Sequence, residues 1–400
     1  MSLFAAVEMA PGDPILGLVE TFQADPRPAK INLGIGIYLD EQGRIPLLAS
    51  VHEVEQALAL AAAPRSYLPI DGLPAYNQLT QQLLFGAEAP ILAADRVATA
   101  QTIGGSAALR VGADVLKQLL GARAQVAISD PSWGNHQVVF RAAGFAVSTY
   151  RYFDAATHGL DFAGMLEDLA QLEPGSVVLL HACCHNPTGV DLDAAQWQQV
   201  IELVHARNLL PFVDMAYQGF AQGLGTDALV LRLLAQSPVR AFVVANSYSK
   251  SFSLYGERVG ALSMIGTDGA EAARLLSRMK QTIRTIYSSP ATHGAALVAG
   301  VLGSPELRTR WEGELGAMRS RIHAMRAGFV ERLAAHGAPQ FGFITQQAGM
   351  FSYSGLSQAQ VRRLRDEFAI YALDSGRICV AALSQGNLDA VAAAVASISR

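Results

Sequence analysis

Four apolar strands alternate with helical stretches between about residues 96 and 265, and this alternation constrains the fold more than any other feature of the chain. The strands are predicted at Gln125–Ile128, Val177–His181, Leu210–Val213 and Ala241–Ala245. Apolar runs without alternating polar residues are typical of strands buried on both faces, as in parallel sheets. The pattern therefore predicts an α/β chain with a large, doubly wound, mostly parallel sheet.

Each predicted strand is followed by a turn with a chemically capable side chain: Trp133, Asn186, Asp214 and Lys250. The carboxyl ends of parallel strands meet at one edge of the sheet, so we expect these four residues to share a cleft. Partial burial there would lower the pKa of the Lys250 amine and make it a nucleophile for a carbonyl carbon. The alternative is a surface lysine at a loop, which is the commoner situation for lysines.

The C-terminal part of the chain has a different pattern. A long helix is predicted from Glu306 to about Ala335, rich in Arg, Glu and Leu. After it come strand-like segments, another helix and a final alanine-rich helix; the predicted elements are strands at Phe341–Gln346, Met350–Tyr353 and Ile378–Ala381 and a helix at Ser357–Phe368. This order predicts a second, smaller α+β domain.

Composition and charge exclude several function classes. The 400 residues carry a formal net charge of -4 with scattered arginines, so nucleic-acid binding is not expected. The N-terminal stretch lacks a basic region and contains Glu8, which disfavours a signal peptide, and no segment predicts a membrane span. The three cysteines, Cys183, Cys184 and Cys379, have no metal-ligand spacing. We expect a cytoplasmic protein with no metal site.

The segment around Lys250, residues 246–260 (NSYSKSFSLYGERVG), resembles the cofactor-lysine segment of class I aminotransferases. These pyridoxal-phosphate enzymes include the aspartate and aromatic amino acid aminotransferases. The resemblance runs nearly from end to end, through further segments at residues 31–38, 67–72, 130–136, 181–189, 214–220, 287–290, 349–355 and 375–380. Each motif alone is weak, but their order and spacing together are specific.

The resemblance implies the type I fold of pyridoxal-phosphate-dependent transferases. Residues 46–315 would form the large cofactor-binding domain, and residues 1–45 with 316–400 would form the small domain. Ile31–Tyr38 would belong to the small domain. The family acts as a homodimer in which Tyr67 and Arg284 would be contributed across the interface, to the cofactor phosphate and to the substrate side chain respectively.

The resemblance also assigns the cofactor contacts. Lys250 would form a Schiff base with the cofactor and then move the substrate proton. Asp214 would pair with the pyridine nitrogen, supported by His136, although a structural histidine is an equally good interpretation of His136. Tyr217 and Asn186 would bind the phenolic oxygen, and Trp133 would stack on the ring. The phosphate would be held by a helix N-terminus and polar side chains: Gly104, Gly105, Ser106, Ser247, Ser249 and Arg258.

The substrate contacts follow in the same way. Arg377 would bind the α-carboxylate, and Gly36 would let the backbone approach it. The other implied substrate contacts are Ile35, Trp133, Asn186, Arg284 and Ser289. Ile37, Leu39, Ile45, Ser106 and Ser289 resemble the aromatic-accepting members, while Arg284 suits a distal carboxylate.

The expected function is transamination of phenylalanine and tyrosine, and also of aspartate or glutamate, with 2-oxoglutarate as acceptor in a ping-pong cycle. An aspartate-specific aminotransferase is the main alternative. A pyridoxal-phosphate lyase would use the same lysine and aspartate. A cofactor-sensing transcriptional regulator would need an added DNA-binding domain, for which the first 30 residues are too short.

Overall fold

A computed structural model describes residues 2–9, 16–122 and 124–399 of the chain. Parts of the predicted small domain, residues 1, 10–15 and 400, lie outside the described residues, as does part of the N-terminal stretch in which a signal peptide is not expected. The helices are α1 Leu16–Ala24, α2 Ala49–Ala61, α3 Pro74–Phe85, α4 Pro90–Ala93, α5 Gly105–Leu120, α6 Gly134–Ala142, α7 Phe162–Ala170, α8 Ala194–Ala206, α9 Leu224–Asp227, α10 Leu229–Gln236, α11 Gly269–Ile286, α12 His293–Gly303, α13 Pro305–Ala335, α14 Gln358–Phe368 and α15 Leu388–Ile398.

The strands form one large sheet and three small ones. They are β1 Ile31–Asn32, β2 Val97–Ile103, β3 Gln125–Asp130, β4 Ala146–Arg151, β5 Phe153–Asp154, β6 Gly159–Leu160, β7 Val177–His181, β8 Leu210–Met215, β9 Phe242–Ser247, β10 Val259–Ile265, β11 Phe351–Tyr353, β12 Ile370–Tyr371 and β13 Arg377–Cys379. Short 3₁₀ helices span Pro339–Gln346 and Val380–Ala382.

The large sheet has seven strands in the order β2-β10-β9-β8-β7-β3-β4. Only β10 runs antiparallel to its neighbours, and the other adjacent pairs are parallel. The predicted α/β fold with a mostly parallel sheet is therefore confirmed. The four predicted strands correspond to β3, β7, β8 and β9, and β3, β8 and β9 extend two residues further toward their carboxyl ends than predicted.

Both faces of the large sheet are buried, which explains the continuous apolar runs. On β8, Phe212 packs in one apolar cluster and its neighbour Val213 packs in another. On β9, Val243 and Val244 divide in the same way. Because successive strand residues point to opposite faces, helices on both sides must cover the sheet.

The segment Phe341–Gln346 is not a strand, so that prediction is wrong. It forms a 3₁₀ helix that begins after Ala338 with Pro339 in its first turn. Phe341 and Ile344 are its buried residues, and their spacing of three places them on one side of a 3₁₀ helix. The predicted strand at Ile378–Ala381 is also shorter than expected, because the chain turns into a 3₁₀ helix at Val380.

The N-terminal segment is joined to the C-terminal part of the chain. β1 pairs in parallel with β12, and the Leu39 amide donates a hydrogen bond to the Ala381 carbonyl at 3.1 Å. The helix α13 runs without interruption through residue 315, where the two predicted domains would meet. The domain boundaries themselves stay a prediction. Within the described ranges, no helix is both long and apolar enough to cross a membrane.

Candidate active site

A cavity of about 240 Å³ opens at the carboxyl edge of the large sheet. It lies where strands β7, β8 and β9 end and where α5 begins. The residues that line it come from six separate stretches of sequence: Gly36, Gly105, Ser106, Leu109, Trp133, His181, Asn186, Asp214, Ala216, Tyr217, Ser247, Ser249, Lys250, Tyr255 and Arg258. The four residues predicted to share a cleft are therefore brought together.

Lys250 follows β9 and reaches into this cavity. Its Nζ lies 4.9 Å from the centre of the Tyr217 ring. Burial lowers the pKa of the Lys250 amine to about 8; the charge of Asp214 opposes this shift, and the charges of Arg258 and Arg377 add to it. Near physiological pH a far larger fraction of this amine is therefore neutral, and available as a nucleophile or base, than in an ordinary lysine.

Asp214 lies on β8 and is buried, and His136 on α6 approaches it from behind. The His136 Nε2 and Asp214 Oδ2 atoms are 2.9 Å apart, and the His136 Nδ1 lies 2.9 Å from the Ser132 hydroxyl. Burial alone would raise the pKa of Asp214. The hydrogen bond from His136 and the nearby positive charges, including that of Lys250, outweigh it and hold this pKa below its usual value. Asp214 therefore stays ionised.

His181 at the end of β7 pairs in register with Asp214 on the neighbouring strand. Its ring lies 5.0 Å from that of His136, and neither of its ring nitrogens has a hydrogen-bond partner. Burial, reinforced by the charge of His136, lowers the pKa of His181 to about 3, so the ring is neutral. Ligand atoms of His136, His181 and Asp214 lie within 4.8 Å of one another, a spacing compatible with a metal ion. The hydrogen bond between His136 and Asp214 already explains why these two groups are close.

The start of α5 forms a cradle with the lysine segment. Gly104 has a φ of +85°, and a Cβ atom there would lie 2.6 Å from Nη2 of Arg258. A Cβ atom on Gly105 would lie 3.0 Å from the Cβ of Ser247. Because Gly104 and Gly105 have no side chains, the first backbone amides of the 16-residue helix α5 lie close to the Arg258 guanidinium and the Ser247 hydroxyl. Amides at a helix N-terminus combined with these donors suit a phosphate.

Arg377 on β13 is buried beside the cavity. Its Nη1 donates to Oδ1 of Asn186 at 3.1 Å, and its Nη2 donates to the Gly34 carbonyl at 2.6 Å. The guanidinium stacks on the Phe351 ring at 4.0 Å. Asn186 in turn donates to the Tyr217 hydroxyl at 3.5 Å. These contacts fix the plane of the guanidinium, and its Nε has no partner, so an oriented cation with a spare donor is present for a carboxylate.

These features fit pyridoxal phosphate. The cradle at α5 accepts a phosphate, the ionised Asp214 faces the cavity as a partner for a protonated ring nitrogen, and Lys250 supplies the amine. Trp133 lines the same cavity and offers an aromatic face.

Not every residue with a predicted site role lies at this cavity. Tyr67 is 93% exposed and, with Ser289, lines a separate surface cavity of about 840 Å³. Arg284 is exposed on α11, where it donates a hydrogen bond to Ser288, another residue of that second cavity. Ile35 is half-buried and does not line the cavity at Lys250.

The residues that resemble aromatic-accepting enzymes are also spread out. Ser106 lines the cavity at Lys250, while Ile37, Leu39 and Ile45 do not. Ile45 is 46% exposed, and Leu39 packs against the main apolar core. Their influence on substrate choice within this chain would therefore be indirect.

Four cavity-lining residues have no predicted site role: Leu109, His181, Ala216 and Tyr255. His181 is the last residue of a predicted strand, so a rule that selects the residues at every strand end would have found it. Tyr255 follows Lys250 by five residues. The sequence carries no comparable signal for Leu109 or Ala216, which reach the cavity through the packing of α5 and β8.

Comparison with known proteins places these observations in a family. Residues 28–395 match the model of the family described as aminotransferase class I and II. The chain is 58% identical over 399 residues to an aspartate aminotransferase of Pseudomonas aeruginosa, with 100% of both chains covered. It is 49% identical to an aromatic-amino-acid aminotransferase of Escherichia coli, with 99% of this chain and 100% of the relative covered. A crystal structure of an aromatic-amino-acid aminotransferase from Burkholderia pseudomallei, covalently bound to pyridoxal phosphate, superposes with a TM-score of 0.97 at 59% identity and covers 100% of both chains.

Proposed function

The chain belongs to the class I and II aminotransferase family, and from that premise we propose that it transfers amino groups from phenylalanine and tyrosine, and also from aspartate or glutamate, to 2-oxoglutarate. It is an aminotransferase, and pyridoxal phosphate is its cofactor. The proposal concerns the substrates and the roles of individual residues.

One observation carries the assignment of roles: a lysine with a lowered pKa and an ionised, buried aspartate line the same cavity as a phosphate cradle. Pyridoxal phosphate, when bound, supplies an electron-withdrawing ring that stabilises negative charge at the substrate Cα. Asp214 would keep a proton on the ring nitrogen, because its carboxylate stays ionised. His136 and Ser132 would hold that carboxylate in place.

Lys250 would first hold the cofactor covalently and, once the incoming amino acid has displaced its amine, carry the substrate proton. A base acts best when its pKa lies near the working pH, and the pKa of Lys250 is about 8. Tyr217 lies directly beneath the amine, and burial raises the pKa of its hydroxyl, so it remains a neutral donor.

Arg377 would bind the substrate α-carboxylate. Asn186 and the Gly34 carbonyl already orient its guanidinium, so little further ordering is needed when the carboxylate arrives. Gly36 lines the cavity, and a Cβ atom at this position would lie 2.9 Å from Cζ of Phe351. A side chain at residue 36 would therefore press on the ring that supports Arg377.

The substrate proposal is tested by the ratio of kcat/KM for L-phenylalanine over L-aspartate, with 2-oxoglutarate as acceptor. Comparable values support acceptance of both classes. A ratio far below one would establish the aspartate-specific alternative, which the similarity to the Pseudomonas enzyme keeps in view. No turnover of either amino acid would reject both.

We also propose that the protein works as a homodimer in which Tyr67 and Arg284 complete the active site of a second copy. Tyr67 is 93% exposed although it is a large aromatic residue, and it lies at an open cavity formed largely by the segments at residues 65–68 and 287–292. Four apolar side chains near the N-terminus are also exposed: Leu3, Phe4, Val7 and Met9. Exposed apolar side chains of this kind support the proposal of an interface with another chain.

A mixture of two defective variants tests the shared site. Lys250→Ala lacks the amine and Arg284→Leu lacks the distal guanidinium, and neither homodimer should use aspartate well. In a mixed dimer, one site would combine Lys250 from one copy with Arg284 from the other, so remixing should restore aspartate turnover to about a quarter of the wild-type value. No recovery despite exchange of subunits would show that Arg284 acts within its own chain.

The three cysteines support a cytoplasmic location. Cys183, Cys184 and Cys379 are free and buried, and free thiols are typical of proteins in reducing compartments. We propose that compartment for this enzyme; fractionation of cells that express it at native level would test the assignment, and recovery outside the cytoplasm would reject it.

A further inference from the structure

A hydrogen bond joins two separate segments of the chain that both contribute to the active-site cavity. The hydroxyl of Tyr255 accepts a hydrogen bond from the backbone N–H of Tyr38 at 2.9 Å. Tyr255 lies in the lysine segment, five residues after Lys250, and it lines the cavity. Tyr38 lies two residues after Gly36, which lines the same cavity.

Apart from a local bond from the Gly34 amide to the Asn32 side chain, the other hydrogen bonds that hold the Gly34–Leu39 segment come from the C-terminal part of the chain. The guanidinium of Arg377 binds the Gly34 carbonyl at 2.6 Å, and the Cys379 thiol lies 3.6 Å from the Ile37 carbonyl. The Leu39 amide donates to Ala381, and its carbonyl accepts from Arg321 on α13. Among the hydrogen bonds of this segment within the described ranges, the one to Tyr255 reaches the lysine segment.

The position of the segment matters for the carboxylate site. Gly36 lies so close to Phe351 that a Cβ atom would come within 2.9 Å of Cζ, and Phe351 stacks on Arg377 at 4.0 Å. A shift of the Gly34–Leu39 segment would therefore change the space above the guanidinium. Burial raises the pKa of the Tyr255 hydroxyl, so the acceptor of this bond is a neutral phenol.

We propose that Tyr255 is a positioning residue: by accepting the Tyr38 amide, it holds the Gly34–Leu39 segment against the cleft and so increases the affinity for carboxylate substrates. This inference rests on the proposed function, since it assumes that Arg377 binds the substrate carboxylate. Tyr255 itself need not touch the reacting atoms.

The test compares Tyr255→Phe with Tyr248→Phe in the holoenzyme. Tyr248 is a matched control: it is a buried tyrosine of the same lysine segment, but its hydroxyl pairs with Thr80 on α3 at 2.9 Å. Succinate and 3-phenylpropionate serve as probes, because they have carboxylates and no amine. Calorimetry gives their dissociation constants, and hydrogen exchange followed by mass spectrometry reports on the peptide that contains Tyr38.

Tyr255→Phe leaves the Tyr38 amide without its acceptor. We expect the dissociation constants of both probes to rise about tenfold. This rise corresponds to a loss of about 1.4 kcal/mol of binding free energy, which lies within the cost of an unsatisfied buried donor. The KM for the amino acid should rise similarly while kcat changes less than about twofold, and the Tyr38 peptide should exchange faster. Cofactor absorbance should be unchanged. Tyr248→Phe should show none of these changes.

Three results would overturn the inference: unchanged probe affinity in Tyr255→Phe, equal losses in both variants, or unchanged exchange at Tyr38. Failure of the proposed function gives a different result in the wild-type holoenzyme: an aspartate-specific enzyme would bind succinate but not 3-phenylpropionate, and an enzyme in which Arg377 does not bind carboxylates would bind neither. The exchange comparison would still show whether Tyr255 holds the segment.

Discussion

Replacing Gly104 by alanine should weaken cofactor binding through a contact that can be identified in the structure. Gly104 has φ +85° and ψ 171°, a conformation accessible essentially only to glycine. Its added Cβ would lie 2.6 Å from Nη2 and 3.0 Å from Cζ of Arg258. Alanine at this position therefore strains the backbone, which lowers the free energy of unfolding. It also displaces the Arg258 guanidinium that we assign to the cofactor phosphate.

Gly121 provides a matched control at the other end of α5. It has φ +77° and ψ -161°, a similar backbone conformation, but a Cβ atom there meets nothing within 4 Å. Each alanine should lower the free energy of unfolding by about 1–3 kcal/mol through backbone strain. Only Gly104→Ala should also disturb the phosphate cradle.

The expected loss follows from the displaced contact. A hydrogen bond to a charged group is worth about 1.5–3 kcal/mol, so displacement of Arg258 should raise the dissociation constant of pyridoxal phosphate about 10- to 150-fold. Titration of the apoenzyme with the cofactor measures this constant, and urea unfolding measures the stability of both variants. Dissociation constants within twofold of each other for Gly104→Ala and Gly121→Ala would refute the proposed cradle.

Three further predictions concern the catalytic groups. Lys250→Ala should abolish turnover and the absorbance of the covalently held cofactor. The control is Lys280→Ala: Lys280 pairs with Asp71 on the surface, and its loss should leave both turnover and absorbance intact. Near-normal turnover of the Lys250 variant would reject the role of Lys250. Because only the neutral amine attacks a carbonyl and burial lowers the pKa of Lys250 to about 8, the rate of cofactor capture by the apoenzyme should rise with pH with a midpoint near pH 8; a midpoint near the ordinary lysine value of about 10.4 would contradict this. Asp214→Asn should reduce kcat at least about 100-fold, since a neutral amide cannot keep the proton on the ring nitrogen; a single-turnover rate close to wild type would contradict the assignment.

Much of the fold was predictable because strand and helix patterns are local. The four apolar runs correspond to β3, β7, β8 and β9, since burial on both faces requires an apolar residue at every position. The prediction failed at Phe341–Gln346, where a short apolar segment does not distinguish a strand from a 3₁₀ helix, and Phe341 and Ile344 pack on one side.

A single chain does not bring Tyr67, Arg284 or Ser289 to the cavity at Lys250. They lie at or beside the surface cavity and away from Lys250. Their placement is expected if two copies share each site, and the subunit-mixing experiment decides the point for Arg284.

The sequence by itself determined which strands are buried and which residue follows each strand, because both depend on the order of neighbouring residues. Only the tertiary structure decided how those residues act on one another. The contact between His136 and Asp214 joins residues 78 apart in the chain, and the bond between Tyr38 and Tyr255 joins residues 217 apart. The pKa of Lys250 likewise depends on the burial and charges around its amine. Hydrogen-bond geometry and local desolvation arise from packing between distant segments, which no local pattern specifies.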